Sequence, residues 1–290
     1  MKNLKKFKII FTLFIILISS VIIEAKVKLP TLITDGMILQ RNQNVTIWGS
    51  ADSGEKVNLK FLNKKYQTIA DKSGNWKIKL APMKAGGPFE MVINEITIKD
   101  ILIGDVWIAS GQSNMELPMR RLKPLYGDEI KNANNQNIRF FTVPQKYNFK
   151  APQTELDGGK WEANNPETIL NFSGVAYFFA KEISKKNNVP VGIIHTSLGG
   201  SPVQAWMDEN SLRNYPEYLE EAKKWQDDAL IKSTEATEAA LSKAWYAELD
   251  QSDIGLNQHW QNYELNDSDW KTMQIPGSWE DKEGFFDGSV

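Results

Sequence analysis

The chain has 290 residues, 41% of them hydrophobic and 24% charged, and its 34 Lys and Arg against 36 Asp and Glu give a net charge of −2. This composition is typical of a folded globular protein of about two domains, and the near balance of charge excludes the strong positive field that nucleic-acid-binding proteins use. The chain contains no cysteine, which excludes disulfides, a thiolate nucleophile and thiolate metal ligands.

Residues 1–25 are predicted to be a cleavable secretory signal. Lysines cluster within residues 2–8, and Ile9–Ile23 is an apolar run shorter than the roughly 20 residues of a membrane-spanning helix. Ala25 then supplies the small residue that signal peptidases prefer. We therefore expect a secreted or periplasmic protein without stable membrane insertion; the alternative is an uncleaved anchor.

Residues 26–99 are predicted to form a small antiparallel β-sandwich. Apolar and polar residues alternate in Asn44–Gly49, Lys56–Phe61 and Trp76–Leu80, the pattern of half-buried strands. Clusters of Gly, Asp and Ser separate these segments as turns. Several short strands at such spacing are typical of a sandwich, and nothing in this segment indicates catalysis.

The apolar pattern changes at residue 100, where we predict the first part of an α/β domain that extends to residue 207. Ile101–Ser110 and Val189–Thr196 are almost continuously apolar, as expected for strands buried on both faces of a parallel sheet. Between them a helical face is predicted from Phe172, Val175, Ala176, Phe179, Ala180 and Ile183. A helix between two buried strands predicts a right-handed crossover.

Two further segments follow this domain. Residues 208–253 are polar and helix-permissive and are predicted to be a helical connector, whereas residues 254–290 are rich in Trp and predicted to begin an inserted β-sandwich module. The tryptophans of that module have two interpretations: they stack on sugar rings, or, more commonly, they belong to a core. They are Trp260, Trp270 and Trp279.

Ser113 is the candidate nucleophile. It follows the carboxyl end of a predicted central strand, where open α/β sheets place their ligand sites. Gly111 permits a tight turn that presents the hydroxyl outward, comparable to a nucleophile elbow, although Gly-x-Ser-x-Gly is absent. The alternative is structural, because Ser113 and Glu116 also fit a Ser-x-x-Glu capping box.

A second candidate feature follows the second buried strand. Ser201 is predicted to cap a helix that begins at Pro202, with Gln204 completing a capping box. Gly199 and Gly200 would then lie just before a helix amino terminus, where unshielded N–H groups suit an oxyanion at an attacked ester carbonyl. The alternative is an ordinary turn between a strand and a helix.

Two blocks of the sequence resemble a known family. Ile103-Gly-Asp-Val-Trp-Ile-Ala-Ser-Gly-Gln-Ser-Asn-Met-Glu116 resembles the opening block of the sialate O-acetylesterase family of SGNH (GDSL-like) hydrolases, and its Gly-Gln-Ser-Asn form is typical of carbohydrate acetylesterases. His195–Met207 matches the second block. The resemblance covers residues 27–207, and Asp269–Trp279 resembles the start of a jelly-roll-like insertion of bacterial members.

The resemblance implies both a fold and a reaction. The fold is an SGNH-hydrolase-like, flavodoxin-like parallel-sheet domain, incomplete in this chain, preceded by the β-sandwich and interrupted by a partial galactose-binding-like insertion. The reaction is hydrolysis of O-acetyl esters on carbohydrates through an acyl-enzyme, without cofactor or metal, and an O-acetylated carbohydrate is the expected partner. Ser113 is then the nucleophile and, with Gly199 or Gly200, an oxyanion donor. Gln112 and Asn114 are assigned to substrate binding.

The chain departs from the family where a general base is needed. The family's Gln-Gly-Glu stretch and its Asp-x-x-His block do not occur, and the residues three before the two histidines are Gly192 and Leu256. A serine without a base is a poor nucleophile. We therefore expect the base to lie beyond Val290 in a longer protein, and the 290 residues alone to have little activity.

The remaining titratable candidates have structural interpretations. His195 is expected to make local hydrogen bonds rather than to act as the base, His259 is not expected to be catalytic, and Asp105 is expected to pair locally. No cluster of His, Asp and Glu has metal-ligand spacing, so no metal is predicted. The missing base and the two β modules leave one alternative function, a non-catalytic secreted glycan-binding protein.

Overall fold

The structure, a computed structural model, describes residues 27–277. The predicted signal and Trp279 lie outside the described residues. The chain divides into two compact units, of which one ends at Leu219 and the other begins at Glu220. Within the described residues, no helix is both long enough and apolar enough to cross a membrane.

Among residues 27–277, all strands belong to the first unit. In chain order they are β1 (Ile38–Gln40), β2 (Val45–Ser50), β3 (Lys56–Phe61), β4 (Lys64–Ile69), β5 (Asn75–Leu80), β6 (Gly86–Ile93), β7 (Ile96–Gly111), β8 (Asn135–Thr142), β9 (Trp161–Asn164) and β10 (Val191–Ser197).

The helices are spread over both units. They are α1 (Ser113–Glu116), α2 (Lys123–Lys131), α3 (Gly174–Asn187), α4 (Glu209–Leu212), α5 (Pro216–Lys224), α6 (Asp228–Ser252) and α7 (Ile254–Asn257). Three single 3-10 turns accompany them, at Met119–Leu122, Thr168–Asn171 and Val203–Trp206.

The amino-terminal strands enclose one apolar core between two sheets. β2 pairs with β5 in a two-stranded antiparallel sheet, and β4, β3, β6 and β7 follow one another in the larger sheet. Along β3 the residues Val57, Leu59 and Phe61 are buried while those between them are exposed, as the alternation predicts. Ile47 and Leu80 of the smaller sheet contribute to the same core.

β7 connects this part to the α/β part without a break. Its first half pairs antiparallel with β6 and parallel with β1, and its second half pairs parallel with β10, which in turn pairs parallel with β8. The domain boundary expected at residue 100 therefore falls inside a single strand, since Ile96–Gly111 is continuous. The mixed α/β architecture predicted from the sequence is confirmed.

The burial of β7 differs from the prediction. Ile101–Gly104 is buried, but Trp107 is half-exposed and Ile108 is 71% exposed. Within the described part of the chain, the strand's second half has a pairing strand, β10, on one side only. The expectation of a strand buried on both faces along its whole length is therefore wrong at these two residues.

Helix α3 covers one face of the parallel strands. Ser173 caps it by accepting a hydrogen bond from the N–H of Ala176 at 3.3 Å, and Asn188 ends it in the left-handed region with φ of 50°. Val175 and Phe179, predicted to lie on the buried face, are exposed. The buried face instead follows Ala176, Tyr177, Ala180 and Ser184.

The second unit contains the long helix α6 and shorter elements. The Asp227 side chain caps α6 by accepting hydrogen bonds from the N–H groups of Ala229 and Leu230. Residues 254–277 form α7 and turns and contain no strand, so the expected strands are wrong for this described stretch. The ring centroids of Trp260 and Trp270 are 4.8 Å apart, and both side chains are half-exposed. This differs from the interpretation that these tryptophans belong to a core.

Candidate functional site

Ser113 lies where β7 passes into α1. Gly111 ends the strand with φ of 146°, a conformation that favours glycine, and Gln112 is the N-cap residue of the helix. Ser113 is the first helical residue, and both it and Asn114 are exposed. No side chain caps this helix, so the capping-box alternative is not formed.

The carboxylate of Glu116 points away from its own helix terminus. Its Oε2 accepts a hydrogen bond from the N–H of Gly199, and its Oε1 accepts one from Nε2 of Gln145 at 2.8 Å. The hydrogen bond from Gln145, followed by that from the Gly199 N–H, lowers the pKa of Glu116, because both stabilise its charged form. The same Gln145 Nε2 donates to the carbonyl oxygen of Ser197 at 3.0 Å. One carboxylate thus connects the serine-bearing helix to two other loops.

This contact changes the expected role of Gly199. Its N–H, predicted to stabilise an oxyanion, is donated to Glu116. A Cβ at position 199 would lie 2.6 Å from Glu116 Oε2 and 3.5 Å from Ser113 Oγ, so the Gly199 backbone lies directly beside the candidate nucleophile. Gly200, with φ of 76°, has open space around it.

Two predicted oxyanion donors stay available. Among the hydrogen bonds of the described residues, none uses the backbone N–H of Ser113 or of Gly200. Both N–H groups are therefore free of backbone partners within the described part of the chain, and their role as oxyanion donors stays a prediction.

The turn after β10 does not form the predicted capped α-helix. Ser201 Oγ donates to the carbonyl oxygen of Leu198 at 2.6 Å and accepts the Nε1–H of Trp206 at 2.9 Å, instead of capping a helix. Pro202 precedes a 3-10 turn of four residues. The dipole of a long helix is therefore absent here, and the Gly199–Gly200 turn instead has a hydrogen bond to Glu116 beside the backbone hydrogen bonds of Leu198 and Ser201.

His195 lies at the carboxyl end of β10 and is buried. Its Nε2 is 3.1 Å from the carbonyl oxygen of Met115 and 2.8 Å from Ser197 Oγ. Burial lowers the pKa of the imidazole, which is therefore neutral at pH 7. Because a carbonyl oxygen only accepts, these distances place the ring proton on Nε2. Nδ1 is buried and has no partner among the described residues.

Asp105 and His259 are the other titratable candidates. Asp105 accepts two hydrogen bonds from Arg41, at 2.7 and 3.0 Å, which is a local ion pair in the middle of β7. His259 belongs to the second unit and follows α7. Within residues 27–277, no group of three or more Asp, Glu or His side chains is placed to hold a metal ion.

Ser113 and its neighbours line a cavity of about 650 Å³. Asn114, Glu116, Gln145 and His195 are also at its wall, whereas Gln112 is not among the described residues that line it. Sequence reasoning missed several further residues of this wall, namely Arg120, Arg121, Thr142, Gln145 and Asn171. They come from segments whose sequence pattern gave no sign of a site, and the chain places them here only through tertiary contacts.

The chain is similar to carbohydrate esterases. Residues 103–239 match a family model described as carbohydrate esterase, sialic acid-specific acetylesterase. A sialate O-acetylesterase of Rattus norvegicus is 27% identical over an alignment of 199 positions that covers 61% of this chain and 36% of the relative. One of Homo sapiens is 27% identical over 202 residues, 62% of this chain and 39% of the relative.

A solved structure gives the same result. The crystal structure of a carbohydrate acetylesterase from Xanthomonas citri is 38% identical, with a TM-score of 0.61, over 64% of this chain and 43% of that chain. The chain therefore spans about two fifths of the length of these relatives.

Proposed function

We propose that the chain belongs to the carbohydrate esterase family of sialic acid-specific acetylesterases and is a serine esterase that hydrolyses O-acetyl esters on carbohydrates. The observation that carries this proposal is the placement of an exposed Ser113 at the end of β7, directly beside the Gly199 backbone and at the wall of one cavity. An SGNH-hydrolase-like fold is part of the proposal, supported by the parallel strands β7, β10 and β8 with α3 on one face.

The proposed reaction has two steps. Ser113 Oγ attacks the acetyl carbonyl carbon, its proton passes to a general base, and the N–H groups of Ser113 and Gly200 stabilise the oxyanion. The sugar alcohol leaves with a proton from that base. Water then attacks the acetyl-serine, and acetate and free Ser113 result.

The general base is proposed to lie in polypeptide beyond residue 290. His195 is a weak candidate, because its Nε2 lies against the carbonyl oxygen of Met115 and its buried ring has a lowered pKa. The chain also spans about two fifths of its relatives, which leaves room for a base elsewhere in a longer protein. His195 then keeps the structural role of holding the backbone behind Ser113.

The sugar of the substrate is proposed to carry a carboxylate. Arg120 and Arg121 line the cavity of Ser113, and guanidinium groups pair well with carboxylates. Arg120 donates to Oδ1 of Asn171 at 2.8 Å, which fixes its direction. The named substrates of the curated relatives are sialate esters, and sialic acid is such an acidic sugar. We further propose that the protein is exported, with residues 1–25 as the signal. The alternative of a non-catalytic glycan-binding protein is not favoured, because the relatives are esterases by name.

The first test is acetate release from O-acetylated N-acetylneuraminic acid by the protein encoded by the whole reading frame. Ser113→Ala should lower the rate by at least about 10³-fold, since the acyl-enzyme step is lost, while the unfolding temperature stays unchanged. Ser110→Ala, at an exposed serine near the end of β7, is the matched control and should keep full activity. Equal acetate release by the Ser113→Ala variant and the original protein would refute the proposed nucleophile.

The same assay tests the position of the base. The 290-residue chain alone should release acetate at least about 10²-fold more slowly than the longer protein, because it has a nucleophile without its base. Full activity of the 290-residue chain, or a reading frame that stops at Val290 in an active enzyme, would show that the base lies within these residues.

A further inference from the structure

We propose that a second cleft, lined by Tyr147 and Trp206, binds a sugar ring that adjoins the acetylated sugar of the substrate. This inference rests on the proposed function, because it takes the ligand to be a carbohydrate. The cleft would be a second subsite, next to the cavity in which Ser113 meets the acetyl ester.

The cleft lies beside the cavity of Ser113 and shares part of its wall. Its volume is about 430 Å³, within the range of roughly 300–1,000 Å³ that small-molecule sites occupy. The segment after β8 forms one wall and the turn after β10 forms the other. Val143, Pro144, Gln145 and Ser197 line both spaces, so a chain of linked sugars can extend from one into the other.

Trp206 gives the cleft a fixed aromatic surface. Its Nε1–H is bound to Ser201 Oγ at 2.9 Å, and Ser201 Oγ in turn donates to the carbonyl oxygen of Leu198 at 2.6 Å. The indole is nevertheless 45% exposed. The hydrogen bond fixes the orientation of the indole while its apolar face stays exposed. Such a face can stack on a flat apolar partner, such as the C–H face of a pyranose.

Tyr147 supplies a second exposed ring from the opposite wall. It is 70% exposed, and it lies parallel to the ring of Phe149, with 8° between the planes and 6.2 Å between the centroids. Two large aromatic side chains, both open to solvent, therefore lie at the wall of one small cleft.

The polar groups of the cleft favour a sugar over an apolar ligand. Thr196 and Gln145 line the cleft between its two aromatic side chains, where the Thr196 hydroxyl and the Gln145 amide oxygen can bind sugar hydroxyls. Gln145 is held in place by its hydrogen bonds to Glu116 and to the Ser197 carbonyl oxygen. The side chain shared by the two spaces is therefore fixed by the same carboxylate that holds the Gly199 turn.

The test is calorimetric binding to the 290-residue chain carrying Ser113→Ala, so that no base and no turnover are needed. The probes are two pairs: O-acetylated N-acetylneuraminic acid and O-acetylated sialyllactose, and methyl O-acetyl-xyloside and O-acetylated xylotetraose. For the pair that binds, the oligosaccharide should bind about tenfold more tightly than the monosaccharide, since it alone reaches both aromatic rings.

Substitutions separate stacking from structural effects. Trp206→Leu and Tyr147→Ala should each remove most of this tenfold advantage, while Trp206→Phe should keep most of it, because it retains a ring and loses only the hydrogen bond to Ser201. Trp48→Leu is the matched control, as Trp48 is 40% exposed and lies in β2. It should change neither affinity.

Each contrary outcome is distinct. Equal affinities for oligosaccharide and monosaccharide, an unchanged advantage in Trp206→Leu, or no binding of any probe would overturn the subsite. Binding is measured without turnover, so the subsite can be tested even if the protein is not an esterase. A Trp206-dependent affinity in a protein that releases no acetate would support the subsite and would contradict only the proposed esterase activity.

Discussion

The two halves of β7 have opposite surroundings although they belong to one strand. Around Ile103 the strand is paired on both sides, by β6 and β1, and the side chain is 0% exposed. Around Ile108 it is paired by β10, and the side chain is 71% exposed. The first half is held by burial, and the second half carries Ser113 at its end. A rigid strand thus presents a reactive group at the position where its own packing is least complete.

The largest effect is expected from the first half. Ile103→Ala should lower the free energy of unfolding by about 2–5 kcal/mol, because it leaves a cavity in a closed core. Ile108→Ala, the same substitution on the same strand, should change it by less than about 0.5 kcal/mol. Urea unfolding followed by Trp fluorescence measures both. Similar losses for the two variants would mean that the second half is buried in solution, for example by a further strand.

The junction of the halves should show an intermediate effect. Asp105→Asn removes the charge that receives two hydrogen bonds from the partly buried Arg41. We expect a smaller loss of unfolding free energy than for Ile103→Ala, since a charge-assisted pair becomes a single neutral-acceptor hydrogen bond. Asp100→Asn is the comparison, because the Asp100 carboxylate is more exposed and pairs with Arg139. It should lower the free energy of unfolding by less than Asp105→Asn does. An Asp105→Asn variant as stable as the original chain would contradict this assignment.

The smallest effect on stability is expected at Glu116, with a dependence on pH. Its folded-state pKa lies below the ordinary value of 4.5, so its contribution is complete above pH 4.5 and is lost as the pH falls through the lowered pKa. The difference in unfolding temperature between Glu116→Gln and the original chain should therefore be constant above pH 4.5 and shrink below it. Amide hydrogen exchange of Gly199 should accelerate in the variant, and an unchanged rate would show that the carboxylate does not hold this turn.

The sequence by itself determined the features that depend on periodicity and on local conformation. Alternation in Lys56–Phe61 predicted its burial correctly, because side chains of a strand point to alternate faces. The apolar run before Gly111 predicted a strand that leads to Ser113. Asn188 ends α3 with φ of 50°, a local conformation that Asn tolerates.

Only the tertiary structure decided which groups meet. Glu116 and Gly199 are 83 residues apart, so no local pattern could show that a carboxylate takes the N–H predicted for the oxyanion. The exposure of Ile108 likewise depends on which strands pair beside β7, and periodicity does not specify that choice. Gly104 is a further case: a Cβ there would lie 2.0 Å from the carbonyl oxygen of Pro190, a requirement that arises from the close approach of two backbones. Local sequence specifies conformation, whereas these contacts depend on the pairing of distant segments.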